Sequence, residues 1–427
     1  MGVAVAGSHR LRGRMRLAAA LVTIAALAAA GCGSGESGGV PTVNLYYAPE
    51  QNLEKVVDDC NAQAQGRYRI SYQVLPRAAD DQRTQMVRRL AAQDDGMDVL
   101  GLDVTWTPEF ASAGWILEWT GERKAEAEKG TLAAPLESSR YRDKLYAAPK
   151  NTNTQLLWYR SDLVERPPQT WDEMITKAQE LKQQGKPYQI ITMGAQYEGL
   201  VVLYNTLVVS AGGHVLNEDG TQAVFDEGAV RALDLLQRFA SAGVTNPSLT
   251  NSKEDDARLQ FQSGDGAFQL NYPFVYPAMQ KGAPDLAKNV KWARYPAVTA
   301  NTPSKVTIGG YNLAISRYSN HPDESFDAAL CLRNAEHQKF SAINDGVPPT
   351  IESIYADPEI DEAYPMKTEI LTELRDAAIR PSTPAYQNVS TVMSATLSPP
   401  ADIKPQQVAD QLRSSIQDAL ESKGVLP

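Results

Sequence analysis

Apolar and polar residues follow two different periods in the part of the chain between residues 43 and 103. An alternation with a period of two residues is typical of a half-buried strand, and short apolar runs predict further strands. In chain order the pattern predicts a strand at Val43–Tyr47, a helix at Glu50–Ala64, a strand at Tyr68–Leu75, a helix at Asp80–Gln93 and a strand at Asp98–Asp103. Strands that alternate with helices favour an α/β fold with a parallel, doubly wound sheet.

A second alternating block begins near residue 150, and a third begins near residue 306. The second block predicts helices at Trp171–Gln184, Leu200–Ala211, Glu227–Ala242 and Asp255–Gln262, and strands at Gln189–Met193 and Gly266–Asn271. The third block predicts a long strand or a strand pair at Val306–Ser316, and helices at Glu324–Ile343, Met366–Ala378 and Gln406–Ser422. Thr170 is a residue type that caps helix N-termini. Ligands of doubly wound sheets bind at the carboxyl ends of strands, where Asp103 lies.

Composition narrows the class of protein. The 427-residue chain is 43% hydrophobic with a mean hydropathy of −0.36, which is ordinary for a soluble globular protein and excludes a multi-span membrane protein. At about 100–200 residues per domain, the length predicts two or three lobes. The net charge is −10 and the sequence has no Lys/Arg block, so we expect no nucleic-acid partner. Three cysteines are too few for a disulfide scaffold or a Cys-rich metal domain.

The N-terminus has the pattern of an export signal. Four arginines precede Leu17–Ala30, an uncharged apolar run that is shorter than the roughly 20 residues needed to span a bilayer. The run ends in Ala29-Ala30-Gly31-Cys32, which resembles a bacterial lipobox, and the Gly/Ser-rich Gly33–Gly39 is a flexible tether. We therefore expect a signal peptide at residues 1–31, a lipidated Cys32 with a tether at residues 32–42, and an extracytoplasmic protein anchored to the outer face of the cell membrane. The alternative is an ordinary signal peptide followed by a chance cysteine.

Export also affects the two remaining cysteines, Cys60 and Cys331. An oxidising compartment permits a disulfide bond between them. Such a bond would close a loop of roughly 270 residues and stabilise the fold by a few kcal/mol. Two separately buried thiols are the alternative.

Several segments, taken together in order and spacing, resemble one family of proteins. They are Tyr146–Pro149, Thr152–Arg160, Pro167–Met174, Phe261–Phe268 and Gly309–Ile315. The sequence is similar here to the extracellular solute-binding proteins of carbohydrate ABC importers, the maltose-binding-like class. The resemblance implies an α/β, two-lobed fold like that of type II periplasmic binding proteins, with a ligand cleft between lobes joined by hinge crossovers. It further implies a first lobe at residues 43–150, a second lobe at 151–305, and a return to the first lobe at 306–427, with C-terminal helices shared between lobes.

A narrower resemblance concerns the ligand. Leu102–Thr107, Glu198–Val202, Asn271–Val275 and Ile379–Pro381 resemble the trehalose-binding lipoproteins of actinobacteria, and Cys60 and Cys331 match as well. Tyr272 stands where that group has Trp, and the stretch after Met279 is shorter. The resemblance implies trehalose or a related α-linked glucose disaccharide as ligand. It also implies a monomeric receptor that works with ABC permease subunits and their ATPase, which are other chains.

Sugars are bound by carboxylates and amides, which hydrogen-bond pairs of hydroxyls, and by aromatic faces, which pack on the C–H faces of the ring. We expect ligand contacts from residues of these types at predicted strand ends and loops, and from a glycine pair that allows close backbone approach: Asp103, Trp106, Asn153, Gln155, Asn271, Tyr272, Arg380, Gly309, Gly310, Glu50, Glu198 and Glu254. Each has a structural alternative. Asp103 could cap a turn, Trp106 could lie in the core, and Arg380 could form a surface ion pair. The three glutamates could interact with helix dipoles.

The sequence lacks the motifs of several other functions. His214, His321 and His337 have no metal-ligand spacing, and His9 belongs to the predicted signal peptide. The one Gly-x-Ser-x-Gly string, Gly35–Gly39, lies in the tether, where it neither follows a predicted strand nor opens a helix, so it is not a nucleophile elbow. The sequence contains no Gly-x-x-x-x-Gly-Lys-Ser/Thr phosphate loop. We therefore expect no catalytic residue, no cofactor and no metal. Two alternatives stay open. The first is the same role for another oligosaccharide, a polyol or a non-sugar solute, and the second is a glycoside hydrolase that uses Asp103 with Glu198 or Glu254.

Overall fold

The computed structural model describes residues 39–300 and 302–423. The predicted signal peptide, Cys32 and most of the tether lie outside the described residues. The strands are β1 (Thr42–Tyr47), β2 (Arg69–Val74), β3 (Val99–Asp103), β4 (Arg140–Tyr141), β5 (Lys144–Leu145), β6 (Ala147–Asn153), β7 (Leu156–Arg160), β8 (Gln189–Ile191), β9 (Gly266–Asn271), β10 (Val290–Ala293) and β11 (Gly309–Ile315).

Helices cover both faces of the sheets that these strands form. They are α1 (Leu53–Gln63), α2 (Ala79–Ala91), α3 (Thr107–Ser112), α4 (Gly121–Glu128), α5 (Ala133–Ser138), α6 (Trp171–Gln183), α7 (Glu198–Ser210), α8 (Glu227–Ser241), α9 (Glu254–Gln262), α10 (Val275–Gly282), α11 (Pro284–Ala287), α12 (Pro322–Leu332), α13 (Ala335–Asp345), α14 (Lys367–Asp376), α15 (Tyr386–Leu397) and α16 (Pro405–Leu420). Short 3-10 turns lie at Leu249–Asn251, Glu352–Ala356, Pro358–Ile360 and Pro400–Asp402. Among the described residues, no helix is both long and apolar enough to cross a membrane.

Five strands form the first sheet in the order β2-β1-β3-β11-β6. β1 runs parallel to β2 and β3, because α1 and α2 carry the chain back between these strands. β3 is central, and Val99–Leu102 is buried on both faces, which explains its continuous apolar run. β11 is antiparallel to β3 and β6 and lies between them. The chain therefore returns to its first sheet after residue 308; we call this sheet and the helices packed on it the first lobe.

Four strands form the second sheet in the order β10-β7-β9-β8. β7 is antiparallel to β9 and β10, whereas β8 is parallel to β9. A large apolar core joins this sheet to α6, α7 and α8, and residues of α15 and α16 belong to the same core. The buried Trp171 of α6 packs edge-on against Phe239 of α8. We call this sheet and these helices the second lobe.

Short segments connect the two lobes. Only Thr154 and Gln155 separate β6 from β7. The segment before β11 runs beside the segment after α14, because Ile308 N donates to the carbonyl of Ala378 (3.0 Å) and Ala378 N donates to the carbonyl of Val306 (2.9 Å). These paired crossovers place residue 380 directly at the junction of the lobes.

The structure confirms most of the predicted elements. Thr170 caps α6, since its side chain accepts a hydrogen bond from Glu173 N (3.1 Å). The third block forms the single strand β11 rather than a strand pair. The prediction of one helix over residues 324–343 is wrong: Asn334 interrupts it and caps a separate helix, α13, by accepting a hydrogen bond from His337 N (2.8 Å).

A disulfide bond joins Cys60 of α1 to Cys331 of α12. This confirms the predicted bridge, and the alternative of two free buried thiols is wrong. The bond ties a helix near the start of the first lobe to a helix that follows β11. Residues far apart in the chain are thereby fixed to one another.

Candidate functional site

The strand register brings several predicted residues to one edge of the first sheet. Tyr311 of β11 pairs with Asp103 at the end of β3. On the other side of β11, Gly309 pairs with Asn153 and Gly310 pairs with Thr152. Paired strands lie about 4.8 Å apart. The pairing therefore aligns in one continuous row Asp103, the glycine pair and Asn153.

Gly310 has a structural requirement of its own. Its φ of +128° lies in a region that L side chains rarely adopt, and an added Cβ would come within 2.4 Å of the Asn151 carbonyl. The position therefore needs glycine whether or not a ligand approaches it.

The row continues into the second sheet through the β6–β7 crossover. Gln155 lies in that crossover, and the next residue, Leu156, pairs with Asn271 at the end of β9. Asn271 is fully buried; its amide nitrogen donates to the Glu254 carbonyl (3.0 Å), and its Oδ1 accepts from Tyr272 N (2.8 Å). These bonds fix the backbone on which Tyr272 stands. Residues predicted from separate parts of the sequence are thus brought together at the lobe junction.

Arg380 links the two lobes at this junction. Its Nη2 lies 3.1 Å from Asp103 Oδ1 of the first lobe, and its Nη1 lies 2.6 Å from Glu198 Oε1 of the second lobe. The residue is only 6% exposed. Burial opposes the charge, but the neighbouring carboxylates of Asp103 and Glu198 outweigh it and raise the pKa of Arg380 above its ordinary value. Arg380 Nε is buried without a hydrogen-bond partner among the described residues.

Glu198 is held from several directions at the start of α7. Besides Arg380, its carboxylate accepts hydrogen bonds from the Tyr386 hydroxyl (2.5 Å) and from the Ser390 hydroxyl, both on α15. Asp103 has additional donors as well, since it accepts from the amide N (3.0 Å) and the hydroxyl (2.8 Å) of Thr105. The two acids are therefore fixed acceptors on opposite sides of one guanidinium.

Tyrosines and one acid line the second-lobe side of the site. Burial raises the pKa of Tyr272, and Glu254 contributes to the same direction while Arg380 opposes it. Burial likewise raises the pKa of Tyr197, again with a contribution from Glu254. The pKa of Glu254 is itself raised by burial. Burial is the largest cause of all three shifts, and the Glu254 carboxylate adds to the shift of both tyrosines.

Two further features concern side chains in this region. Tyr197 packs over Gly199, where an added Cβ would come within 2.1 Å of the tyrosine hydroxyl. The Gln155 side chain is fully buried, yet within the described part of the chain neither its Oε1 nor its Nε2 makes a hydrogen bond of good geometry, although the Tyr272 hydroxyl lies beside it. A buried amide without partners is costly, and a polar ligand would satisfy it.

Two of the predicted residues, Glu50 and Trp106, interact with other protein side chains. Glu50 accepts two hydrogen bonds from Lys150 Nζ (2.8 and 2.9 Å) in a buried ion pair, and that ammonium also lies over the Tyr47 ring. Trp106 is 4% exposed and stacks on Phe110 with ring centroids 6.5 Å apart. Tyr197, Tyr386 and Ser390 were not among the residues predicted from the sequence. Tyr197 directly precedes a segment that carried the narrower resemblance, whereas no sequence signal marked Tyr386 or Ser390.

A groove of about 1010 Å³ lies against the segment 379–385. It is lined by this segment, by Arg140–Asp143 of the first lobe and by Gly213–Thr221 of the second lobe. Arg380 is the predicted residue that lines it. Asp103, Asn153 and Tyr272 do not, so we place the candidate site at the lobe junction rather than in this groove.

Comparison with known proteins gives a consistent result. The model of a family described as bacterial extracellular solute-binding protein matches residues 50–339. The chain is 29% identical over 338 residues to an ABC transporter-binding protein of Deinococcus radiodurans, a match that covers 76% of this chain and 79% of that protein. The fold is similar to that of maltose-bound MalE3 of T. maritima, with a TM-score of 0.76 and 27% identity over 90% of this chain and all of the other.

A second solved structure shares the fold at lower identity. The GacH receptor of Streptomyces glaucescens, which was determined unliganded and with acarbose, matches with a TM-score of 0.75 and 20% identity over 90% of this chain and all of the other. These likenesses confirm the predicted two-lobed α/β fold of the type II periplasmic binding proteins.

Proposed function

This chain belongs to the family of bacterial extracellular solute-binding proteins, and from that premise we propose that it is the lipid-anchored receptor of an ABC sugar importer. It binds trehalose or a closely related α-linked glucose disaccharide at the lobe junction and delivers it to the permease. It is a non-enzymatic receptor and uses no cofactor. The relatives support the class, since one is described as an ABC transporter-binding protein and another was solved with maltose bound.

The observation that carries the proposal is the junction of Asp103, Arg380 and Glu198. Two carboxylates and a guanidinium, held in fixed positions by Thr105, Tyr386 and Ser390, present charged acceptors and donors at the boundary of two lobes. Charged groups make the stronger hydrogen bonds to hydroxyls. Ligands that bind at such a boundary stabilise the closed form, which the permease distinguishes from the open form.

The choice of a disaccharide rests on residues beside this junction. Tyr197 and Tyr272 supply aromatic faces for pyranose rings, and Asn153 and Gln155 supply amides for hydroxyl pairs. The preference for trehalose rests on the segments that resemble trehalose-binding lipoproteins. Tyr272, which replaces Trp there, offers a smaller face and a hydroxyl, so it is the residue we expect to tune ligand size.

The anchor is proposed from the sequence alone. Cys32 ends a lipobox-like motif, and the following tether separates it from the folded body, which begins at Thr42. Cys32→Ala should move the protein from the membrane fraction to the soluble fraction when cells are fractionated. Retention in the membrane would contradict lipidation at this cysteine.

Titration calorimetry on the chain from Gly33 onward tests the ligand. The panel is trehalose, maltose, sucrose, glucose and a maltodextrin, with Arg380→Ala and the exposed Arg375→Ala as a matched pair of variants. We expect binding of trehalose by the unmodified chain, and a loss of about 1–3 kcal/mol for Arg380→Ala because buried hydrogen bonds disappear. Arg375→Ala should bind as the unmodified chain does.

Each other outcome has a definite meaning. Binding heat with a different sugar would support the receptor role with another ligand. No binding heat with any sugar of the panel would favour a non-sugar solute. Steady release of glucose would support the glycoside hydrolase instead. That alternative needs one carboxyl to donate a proton. In the pair of Asp103 and Glu198, both carboxylates accept hydrogen bonds from Arg380, which disfavours this role for either of them.

A further inference from the structure

A lysine outside the predicted set of site residues lies over Tyr197, on the second-lobe side of the site. The Lys253 ammonium is 5.2 Å from the centroid of the Tyr197 ring, a distance at which a cation is attracted to the face of the ring. Lys253 is exposed, and it directly precedes Glu254 at the start of α9. The Tyr197 ring is therefore covered on one face by an external charge, while its hydroxyl is buried.

The backbone beside Lys253 is fixed to the segment that carries Tyr197. The carbonyl of Ser252 accepts a hydrogen bond from Ala195 N (3.2 Å), and the carbonyl of Ala195 accepts one from Tyr197 N (2.9 Å). Lys253 N in turn donates to Asp256 Oδ2 (3.1 Å) in the first turn of α9. These bonds hold the two backbones together, so the lysine side chain stays within reach of the ring.

Gly199, in the first turn of α7, leaves free the space that the hydroxyl end of the Tyr197 ring occupies. A Cβ at residue 199 would come within 2.1 Å of the Tyr197 hydroxyl oxygen and within 2.3 Å of the ring carbon that bears it. Glycine is less favourable than alanine inside a helix, so the close approach of this ring is a structural reason for glycine here. The orientation of Tyr197 thus depends on a residue of α7 and on a residue next to α9.

The Tyr197 hydroxyl makes no hydrogen bond of good geometry to the residues that the structure describes. The Glu254 carboxyl lies beside it: burial raises the pKa of Glu254, while the Tyr197 hydroxyl and the Lys253 ammonium oppose that rise. A phenol hydroxyl both donates and accepts hydrogen bonds, whereas a carboxylate only accepts them. One sugar hydroxyl can therefore accept from Tyr197 and donate to Glu254 at the same time, provided that the ring keeps this orientation.

We propose that Lys253 and Gly199 are positioning residues for sugar binding, which together hold the Tyr197 hydroxyl beside Glu254, where it meets a hydroxyl of the ligand. This inference rests on the proposed function, since it states how one side of that same site recognises its sugar. Both residues act through Tyr197. Lys253 holds the ring by its charge, and Gly199 accommodates the ring because it has no side chain.

Titration calorimetry with trehalose on the chain from Gly33 onward tests the role of Lys253. Lys253→Met keeps the length of the side chain and removes its charge, so we expect affinity to fall about two- to fivefold, and Lys253→Arg should restore it. Lys182→Met is the matched control, because the Lys182 ammonium also lies 5.2 Å from the centroid of a tyrosine ring, that of Tyr188, which is not among the residues of the candidate site. This control should bind trehalose as the unmodified chain does.

A double-mutant cycle with Tyr197→Phe shows whether Lys253 acts through the tyrosine hydroxyl. Tyr197→Phe alone should weaken trehalose binding about two- to tenfold, because one hydrogen bond to the ligand is lost. In that background, Lys253→Met should cause no further loss. Fully additive losses, or unchanged affinity in Lys253→Met, would overturn the proposal. If the sugar panel identifies a different ligand, the same cycle is measured with that sugar.

Crystal structures without ligand keep this inference distinct from the proposed function. In Lys253→Met and in Gly199→Ala the Tyr197 ring should be turned away from Glu254, whereas in Lys253→Arg it should keep its place. A ring that stays in place in both of the first two variants would overturn the proposal even if the protein binds sugar. If the unmodified chain binds no sugar of the panel, the proposed function fails, and a displaced ring still supports the positioning of Tyr197 by these two residues.

Discussion

We expect Glu198 to act on the ligand through Arg380. Its carboxylate is shared among Arg380, Tyr386 and Ser390, so it directs the guanidinium toward Asp103. Glu198→Gln keeps the shape but removes the charge, and we expect sugar affinity to fall by about 1–2 kcal/mol, roughly tenfold. Titration calorimetry measures the change, and Glu198→Asp should restore part of the affinity.

A double-mutant cycle separates positioning from direct contact. If Glu198 acts through Arg380, Glu198→Gln should add almost nothing to the loss caused by Arg380→Ala. Fully additive losses would show that Glu198 contacts the sugar itself.

We expect a substitution of Gln155 to lower sugar affinity without lowering thermal stability. Both polar atoms of its buried side chain lack good hydrogen bonds to the residues that the structure describes, so Gln155→Leu replaces an unsatisfied amide with an apolar side chain of similar size. We expect the melting temperature to stay the same or rise, while sugar affinity falls because a ligand hydroxyl loses its partner. Thermal unfolding and calorimetry measure the two effects.

Gln269→Leu is the matched control for that prediction. Gln269 is also buried but lies within β9 rather than in the crossover. This variant should leave affinity unchanged, and an unchanged affinity in Gln155→Leu would remove Gln155 from the site.

At the residue scale, the sequence marks candidate groups that end strands but not those that lie on packed helices. Asp103 and Asn271 were identifiable because each ends a predicted strand. Tyr386 and Ser390 reach the site only because α15 packs against α7. Nothing local in their segment encodes that contact. Glu50 shows the converse, since its position fits a site but Lys150, 100 residues away, occupies its carboxylate.

At the scale of elements, a buried acid joins α14 to the end of β10. Glu373 is fully buried and accepts hydrogen bonds from Tyr295 N (2.6 Å) and from Arg294 Nη2 (3.1 Å). Burial raises the pKa of Glu373 above its ordinary 4.5, and this outweighs the opposing effect of Arg294. The folded protein therefore binds a proton more tightly here than the unfolded chain does.

This shift predicts a pH dependence with a definite sign. The contribution of Glu373 to stability is fully present below pH 4.5 and is lost as pH rises through the raised folded pKa, by up to about 1.4 kcal/mol per pH unit. Glu373→Gln removes this loss. Denaturant unfolding across that pH range should show that the free energy of unfolding of the variant increases relative to that of the unmodified protein as pH rises. A constant difference between the two would contradict the assignment.

Most helices and strands were predictable because their apolar positions repeat with a clear period. The error at residues 324–343 has a local cause. The apolar pattern continues through residue 334, but Asn334 caps a new helix there. Asn334, a residue type that caps helices, was the sequence signal for a break at this position. The apolar period that continues past it favoured a single helix instead.

At the scale of the whole molecule, the order of the strands in the first sheet could not be predicted from the sequence pattern alone. The apolar pattern predicts β11 as a strand but does not say that it inserts between β3 and β6. That placement depends on contacts across more than 150 residues of sequence, and it creates the row of Asp103, Gly309, Gly310 and Asn153. The resemblance to a family supplied what local patterns could not.

The same topology makes Arg380 the link between lobes, which predicts how the empty receptor moves. Glu198 and α15 hold Arg380 on the second lobe, so its bond to Asp103 bridges to the first lobe. Without ligand, Asp103→Ala should shift the population toward the open form, because one charged contact that favours closure is gone. Small-angle X-ray scattering should then report a larger radius of gyration than for the unmodified protein. Asp80→Ala removes an exposed hydrogen bond that Gln387 Nε2 donates to Asp80 Oδ1 (3.1 Å), and it should change the radius little. Equal radii for all three proteins would show that Arg380 does not control closure.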